Sequence, residues 1–299
     1  MAVPAATAAP PRAVSAPAAV TALALEGRLV AFASGRSDDD CDRIRIWNLN
    51  TRAVTALGRR TSCETTSTGT GVASLALAGT RAVWLHYTGG NIREWTLWTA
   101  STTKRAPTRL RSVARDVDAP APIVLGNGES SRDGGMLPYA VDAEVVVLRA
   151  DGERRFSWLA PRRVVALSAA GGELAVASEG GEVTILDAAG RVLRRESFGT
   201  EIKGIRLSGS GLFVLRGPKL ELRAAATRRE WAISQRAELQ DAVGSRAIYA
   251  DRGSIRLLTA APSAAPSTDR LLGRGEYAQA EGTELTVANG RVVYVRQFP

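Results

Sequence analysis

The sequence has little of the side-chain chemistry on which most catalytic sites depend. It contains one histidine, His86, and two cysteines, Cys41 and Cys63. A single histidine excludes a histidine-rich zinc site, and a Ser-His-Asp triad would have to use His86. No serine lies in a nucleophile-elbow context, and no glycine-rich phosphate loop precedes a helical segment. We therefore expect a protein without catalytic residues and without a cofactor.

Long hydrophobic runs are also absent. No segment has the roughly 18 consecutive apolar residues that a membrane span requires, so no span is expected. The first residues, MAVPAATAAPPRAVSAPA, are rich in alanine and proline. They have neither a basic start nor a leucine-rich stretch, so they are not a secretory signal as they stand. They are compatible with the beginning of a mature chain whose signal has been removed.

Lysine is scarce although the chain is strongly basic. Three of the 39 Lys and Arg residues are lysines, and the formal net charge is +9. A basic chain invites a nucleic-acid interpretation. The arginines, however, are spread over the whole chain, and no RNA-binding aromatic signature accompanies them. A GC-rich genome explains the arginine content, so a nucleic-acid partner is not expected.

A unit of roughly forty residues recurs along the 299-residue chain. Each copy contains short alternating strands separated by glycine turns, which is typical of a β-propeller blade. The copies predict an all-β, seven-bladed propeller of four-stranded antiparallel blades; six blades are the alternative. Residues 18–299 would form one propeller domain, preceded by a tail or closing strand over 1–17. The predicted inner strands begin near Val20, Val72, Val113, Val164, Ile202, Leu239 and Tyr277.

The last copy supplies three strands, and the sequence stops where a fourth should follow. An unpaired blade edge would be a template for aggregation. We therefore predict that the segment Val3–Val14 completes blade seven as its outermost strand, where prolines are tolerated. The alternative is a disordered tail beside a three-stranded final blade.

Two stretches resemble known propeller repeats. IRIWNLNT, in the first copy, resembles the third strand of WD40 repeats, and GELAVASEGGEVTILDAAGRVLRR resembles the quinoprotein-like repeat. The Gly-His and Trp-Asp dipeptides of WD40 repeats are missing. The resemblance implies a propeller and carries over no activity or site residue.

Three long connections stand out from the compact remainder: Gly35–Asp42, Gly58–Gly71 and Asn127–Ala143. We predict that all three lie on one face of the disc, because second-to-third-strand loops and blade-to-blade loops share a face. Loops on a rigid scaffold often carry function, so this face is the predicted binding surface. The alternative is an unused surface on which insertions accumulate. Its candidate binding residues are Asp38, Asp39, Asp40, Asp42, Glu64, Arg132 and Asp133.

Cys41 and Cys63 lie in two of these loops. Topology places the loops at the same end of adjacent strands, so we predict a disulfide between them. A bridge closing about twenty residues would stabilise the fold by roughly 3 kcal/mol. It would also indicate an oxidising, extracytoplasmic or secreted location. Two free thiols are the alternative.

Asp38, Asp40 and Asp42 occupy alternate positions in the run SDDDCDR. That spacing is typical of calcium loops, which offer several carboxylate oxygens on a turn. Arg43 stands where such a loop usually bends at glycine. A weak calcium site and a solvated acidic turn both remain open.

These features favour a monomeric, non-catalytic binding or scaffold protein. It would recognise a protein or an envelope component through loops on one face. The alternative is a carbohydrate-binding or carbohydrate-active propeller with carboxylates near the central channel.

Overall fold

The computed structural model describes residues 12–34, 43–58, 69–124, 135–199, 201–224, 227–261 and 267–298. Within these ranges the regular structure consists of seven antiparallel sheets, each of four strands. No helix in the same ranges is long and apolar enough to cross a membrane. The prediction of an all-β, seven-bladed propeller is confirmed, and the six-bladed alternative is not adopted.

The strands follow the chain blade by blade. The first half of the chain forms β1 (Arg12–Ser15), β2 (Val20–Glu26), β3 (Leu29–Ser34), β4 (Ile44–Asn48), β5 (Val54–Leu57), β6 (Thr70–Ala78), β7 (Arg81–Gly89), β8 (Ile92–Ser101), β9 (Thr108–Asp116), β10 (Ile123–Val124), β11 (Leu137–Val141), β12 (Glu144–Leu148) and β13 (Arg154–Leu159). The second half forms β14 (Val164–Ala170), β15 (Glu173–Ser178), β16 (Glu182–Leu186), β17 (Val192–Ser197), β18 (Gly204–Ser208), β19 (Gly211–Arg216), β20 (Lys219–Ala224), β21 (Thr227–Ala232), β22 (Glu238–Val243), β23 (Arg246–Asp251), β24 (Ser254–Thr259), β25 (Thr268–Arg274), β26 (Tyr277–Glu281), β27 (Glu284–Asn289) and β28 (Val292–Gln297).

Blades one to six each contain four consecutive strands, from β2–β5 through β22–β25. Blade seven has the order β1-β28-β27-β26, so the N-terminal strand is its outermost member. Arg12 pairs with Val295 and Ser15 pairs with Val292 in an antiparallel register. The predicted closure of the last blade by the N-terminal segment is therefore confirmed.

Glycine turns and alternating strands explain why the sequence folds locally into these hairpins. The first turn of blade one contains Gly27, which adopts a φ of 55° that disfavours side chains with a Cβ atom. Strands on either side of such turns pair residue by residue, as in Glu26 with Leu29. These local preferences produce the hairpins, and burial between blades then assembles them.

The hydrophobic core is divided among the seven interfaces between neighbouring blades. Between blades one and two, Ile46 and Ala24 pack against Leu77 and Trp84. Six further clusters repeat this arrangement around the ring, including the closing interface between blades seven and one. Each blade therefore buries both of its faces, which keeps the inner strands fixed around the axis.

Blade three differs from its prediction. Val113, expected near the start of an inner strand, lies within β9, the outer strand of blade two. The inner strand of blade three is instead β10, which has two residues. The range predicted as a connection, Asn127–Ala143, contains β11. Such a short inner strand carries almost no periodic signal, and the long β9 masked the boundary.

The topology also corrects the placement of one long connection. We call the face bearing second-to-third-strand and blade-to-blade connections the upper face, and the opposite one the lower face. Residues 35–42 join β3 to β4 and residues 59–68 join β5 to β6, so both connect strand ends at the upper face. Residues 125–136 join β10 to β11, the first and second strands of their blade. Those two strand ends lie at the lower face, so the prediction that all three connections share one face is wrong.

Candidate functional site

The inner strands place equivalent residues at one level around the axis. In blades one, two and four to seven, counting back three positions from the glycine of the first turn gives a ring of small or polar side chains. Its members are Ala24, Ala76, Ser168, Arg206, Asp241 and Gln279. The four polar members are all buried. A buried polar group is costly unless it is hydrogen-bonded, so these four positions carry specific partners or specific chemistry.

Two polar members of the ring connect neighbouring blades. The Ser168 hydroxyl in blade four accepts a hydrogen bond from the Leu207 N–H in blade five, at 2.8 Å. In blade six, Asp241 accepts from the Ala280 N–H of blade seven at 2.8 Å. Its other oxygen accepts from the Ala242 N–H at 2.8 Å. The carboxylate therefore links two inner strands that have no ladder between them.

Arg206 is the cationic member of the ring, and 7% of its surface is exposed. Its Nε donates to the Gln240 carbonyl at 2.8 Å, and its Nη1 donates to the Ile205 carbonyl at 2.7 Å. These two bonds fix the plane of the guanidinium. Nη2 makes no hydrogen bond to any residue in the described part of the chain. One donor nitrogen of a buried cation is therefore left for a ligand.

Burial dominates the electrostatics of this level. It raises the pKa of Asp241 to about 7, although the Ala280 hydrogen bond, the charge of Arg206 and the Ala242 hydrogen bond oppose the shift. Burial also lowers the pKa of Arg206, and the charge of Asp241 opposes that change. Desolvation disfavours the charged form of each group. The guanidinium consequently has an incomplete counter-charge within the protein.

A cavity of about 670 Å³ opens beside Arg206. It lies among the beginnings of the inner strands of blades three to six, which is the upper end of the central channel. Pockets that hold small ligands are typically about 300–1,000 Å³. Its lining consists of Ile123, Val165, Ala166, Lys203, Gly204, Arg206, Leu215, Gln235, Arg236, Ala237, Glu238, Leu239 and Gln240.

β-Bulges shape two walls of this cavity. The pairing register of β14 shifts between Val164 and Ala166, and that of β22 shifts between Leu239 and Asp241. The extra residues, Val165 and Gln240, both line the cavity. A bulge leaves its extra residue outside the ladder, which explains why the Gln240 carbonyl is available to Arg206.

The charged rim of the cavity comes from loops and strand ends. Lys203 donates from Nζ to the Gln235 carbonyl at 3.0 Å, which holds its ammonium across the mouth. Arg236 and Glu238 are exposed beside it. With Arg206, the lining contains three cationic groups and one carboxylate. The site is therefore suited to a ligand that carries negative charge.

The residues predicted from sequence lie elsewhere. Asp38, Asp39, Asp40, Asp42, Glu64, Arg132 and Asp133 fall outside the described residues, as do Cys41 and Cys63. The predicted disulfide and the weak calcium site therefore stay predictions. Among the described residues, no cluster of His, Cys, Asp and Glu side chains is arranged to hold a metal.

The aromatic residues bear on the carbohydrate alternative. Trp47, Trp84 and Trp95 are buried in clusters between blades. The cavity lining contains no aromatic side chain among the described residues. His86 is buried, and its Nε2 lies 3.2 Å from the Thr70 hydroxyl. These side chains have packing roles, so none of them provides a stacking surface beside Glu238.

Sequence reasoning missed Lys203, Arg206, Arg236 and Glu238. One signal was available. The inner strands GIRLS and ELQDAV contain Arg206 and Asp241, whereas the equivalent segments of blades two and four, LALAG and ALSAA, contain no charged residue. A charge at such a position is unusual for a buried strand and marks a candidate site. The two rim residues from connections carry no comparable local signal.

Together, the seven four-stranded antiparallel blades and the closure of blade seven by β1 define a seven-bladed β-propeller. No protein-family model matches the chain, and no curated protein matches it in sequence. The comparison with solved structures therefore identifies the fold class.

Three solved structures illustrate the similarity. A chain of "Crystal Structure of Mitotic Checkpoint Complex" aligns with a TM-score of 0.63 and 15% identity, covering 100% of this chain and 98% of that one. BamB from Moraxella catarrhalis has a TM-score of 0.55 and 12% identity, with 93% and 85% coverage. Raptor from Chaetomium thermophilum has a TM-score of 0.58 and 11% identity, covering 96% of this chain and 28% of that one. At these identities the likeness shows the fold alone.

Proposed function

We propose that this propeller is a non-catalytic binding protein that recognises a protein partner, or a component of the cell envelope, through its upper face. The supporting observation is the position of the cavity at the upper end of the channel. Its charged rim, with Lys203 and Arg236, faces the side on which a partner would dock. The strand ends that residues 35–42 and 59–68 join also lie at this face.

The fold supports an interaction role in general terms. Every blade buries both faces against its neighbours, so the inner strands form a rigid platform. Binding residues presented on such a platform lose little conformational entropy when a partner docks. One propeller of similar fold is a chain of a structure described as a complex.

Site-specific cross-linking tests the upper face directly. A photoreactive benzoylphenylalanine would replace Arg236 on the upper face or, as a control, Arg105 on the lower face. Both positions are exposed, and Arg105 lies in the third-to-fourth-strand connection of blade two. Irradiation in cells of the source organism should yield a discrete adduct from position 236 and none from position 105.

A charge-reversal pair refines the same experiment. Lys203→Glu with Arg236→Glu should reduce recovery of the cross-linked partner from a neighbouring upper-face position such as Gln235. Lys104→Glu with Arg105→Glu, which changes the same charges on the lower face, should leave recovery unchanged. Equal adducts from both faces, or no adduct from the upper face, would contradict the proposal.

A further inference from the structure

We infer that the cavity at the upper end of the channel binds a peptide segment in which an acidic residue is flanked by apolar residues. This inference rests on the proposed function, because it names the chemistry that the partner presents to that face. The segment's carboxylate would bind at Arg206, and its apolar neighbours would contact the cavity walls.

The charges of the site indicate a ligand with a carboxylate. The lining contains three cationic side chains, Lys203, Arg206 and Arg236, and one carboxylate, Glu238, so it has a formal excess of two positive charges. Arg206 is buried and held by two carbonyls, so its remaining nitrogen has a fixed direction. A fixed guanidinium recognises a carboxylate with little loss of side-chain entropy. A carboxylate would also complete the counter-charge that Asp241 supplies in part.

The walls of the cavity indicate that apolar groups flank this carboxylate in the ligand. Ile123 and Val165, which are half-buried, present aliphatic surface beside the cationic groups, and Leu215 and Leu239 are buried members of the lining. Burying an aliphatic side chain of the ligand against this surface is favourable because it removes apolar area from water. A small inorganic anion would leave this surface in water. The combination of cations and aliphatic walls therefore matches an amphipathic ligand.

Polar groups at the mouth favour a peptide over a nucleic acid. Gln235 and Gln240 offer amide donors and acceptors of the kind that pair with a peptide backbone. Single-stranded nucleic acids bind largely by stacking on aromatic side chains, and the described lining has none.

Fluorescence anisotropy with a defined probe tests the inference. The probe is a fluorescein-labelled hexapeptide of alternating leucine and glutamate, compared with its leucine–glutamine counterpart. The glutamate peptide should bind the full-length protein, and the glutamine peptide should bind at least about tenfold more weakly. Equal affinities for the two peptides would overturn the inference.

Three variants locate the binding. Lys203→Gln with Arg236→Gln should lower the affinity for the glutamate peptide about tenfold, whereas Glu238→Gln should raise that affinity about threefold. Lys104→Gln with Arg105→Gln should leave the affinity within about twofold, because the overall charge changes equally but on the lower face. All five side chains are exposed, so folding should persist, and circular dichroism would check it. If the two double variants weakened peptide binding equally, the binding would depend on the net charge of the chain and not on the cavity, which would overturn the inference.

The outcomes separate this inference from the proposed function. An adduct at position 236 without peptide binding would leave the upper face as the docking surface and overturn the acidic-peptide chemistry. Peptide binding without an upper-face adduct would contradict the proposed function. A labelled oligouridylate could also bind more tightly than the glutamate peptide and lose this binding in the Lys203/Arg236 variant. That result would identify the ligand of the cavity as a nucleic acid and overturn the inference.

Discussion

At the scale of single residues, polar groups at the lower ends of the inner strands join successive blades. Glu281 of blade seven accepts a hydrogen bond from the Gly27 N–H in blade one. Glu26 of blade one accepts from the Gly79 N–H in blade two. The Ser208 hydroxyl of blade five donates to the Gly244 carbonyl in blade six at 2.8 Å. The turn glycines thus form the hairpin turn and, through their backbone groups, also hydrogen-bond to a side chain of the preceding blade.

Glu26 should make stability depend on pH. Burial, followed by the negative charge of Glu281, raises the pKa of Glu26 from 4.5 to about 7. Between these values the folded chain retains a proton that the unfolded chain has released, so stability falls as pH rises. We expect Glu26→Gln to match the wild type at pH 4.5 and to exceed it at pH 8 by on the order of 2–3 kcal/mol. Urea denaturation at both pH values measures the difference.

The control for this prediction is Glu201→Gln, at an exposed position. Its stability should follow that of the wild type at both pH values, since substituting an exposed side chain usually changes the free energy of unfolding by less than about 0.5 kcal/mol. If Glu26→Gln were as pH-dependent as the wild type, the dependence would have to come from other groups, and the account of Glu26 would be wrong.

At the scale of strands, charged side chains protect the blade edges. The outermost strand of each blade is an edge with unpaired backbone groups, which invites pairing between molecules. Arginines recur on these strands and are exposed there for the most part. They include Arg109, Arg111, Arg115, Arg154, Arg155, Arg194, Arg195, Arg228, Arg229, Arg270 and Arg274.

The strand β1 should be essential for closing the ring. Besides its ladder with β28, Arg12 donates to the Leu49 carbonyl at 2.9 Å and lies 3.6 Å from Glu284. Deleting residues 1–15 removes these contacts and leaves β28 as an unprotected edge. We expect Tm to fall by more than about 5 °C and self-association to increase. Differential scanning calorimetry and light scattering would measure both.

Deletion of residues 1–11 is the matched control because it leaves β1 intact. This shorter deletion should retain the wild-type Tm and scattering. Equal loss in the two deletions would show that closure does not depend on β1.

At the scale of the whole molecule, the ring is held by interfaces and by one blade built from both chain ends. In blade seven, β28 and β1 are antiparallel neighbours, so the end of one lies near the beginning of the other. Blade seven therefore fastens the ring through a sheet, whereas neighbouring blades meet through side-chain packing and individual hydrogen bonds from side chains. A shared blade resists opening because its ladder must break first.

Circular permutation tests this reasoning. A short linker would join Phe298 to Arg12, with new chain ends placed between Asp118 and Ala119. All blades would then be continuous, and the ring would close between blades two and three by packing alone. We expect a folded protein of β-type circular dichroism with a Tm several degrees below that of the wild type.

The matched permutant has the same linker and new ends within 262–266, between β24 and β25. Blade six would then be shared between the two ends, as blade seven is in the native chain. Its Tm should be closer to that of the wild type. The same Tm for both permutants would show that a shared blade adds nothing to closure.

The sequence alone determined the number of blades, the four-stranded hairpins and the N-terminal closure. These features follow from strand alternation and turn glycines, which are local, and from a last copy with three strands, whose fourth the N-terminal segment supplies. The sequence alone did not predict the boundary between blades two and three near Val113, or the face at which residues 125–136 join their strands. The reason is that a two-residue inner strand gives almost no periodic pattern. The tertiary structure alone decided the cavity. Ile123 and Glu238 lie far apart in sequence, and they meet at one channel mouth because the closed ring brings the inner strands of separate blades around a common axis.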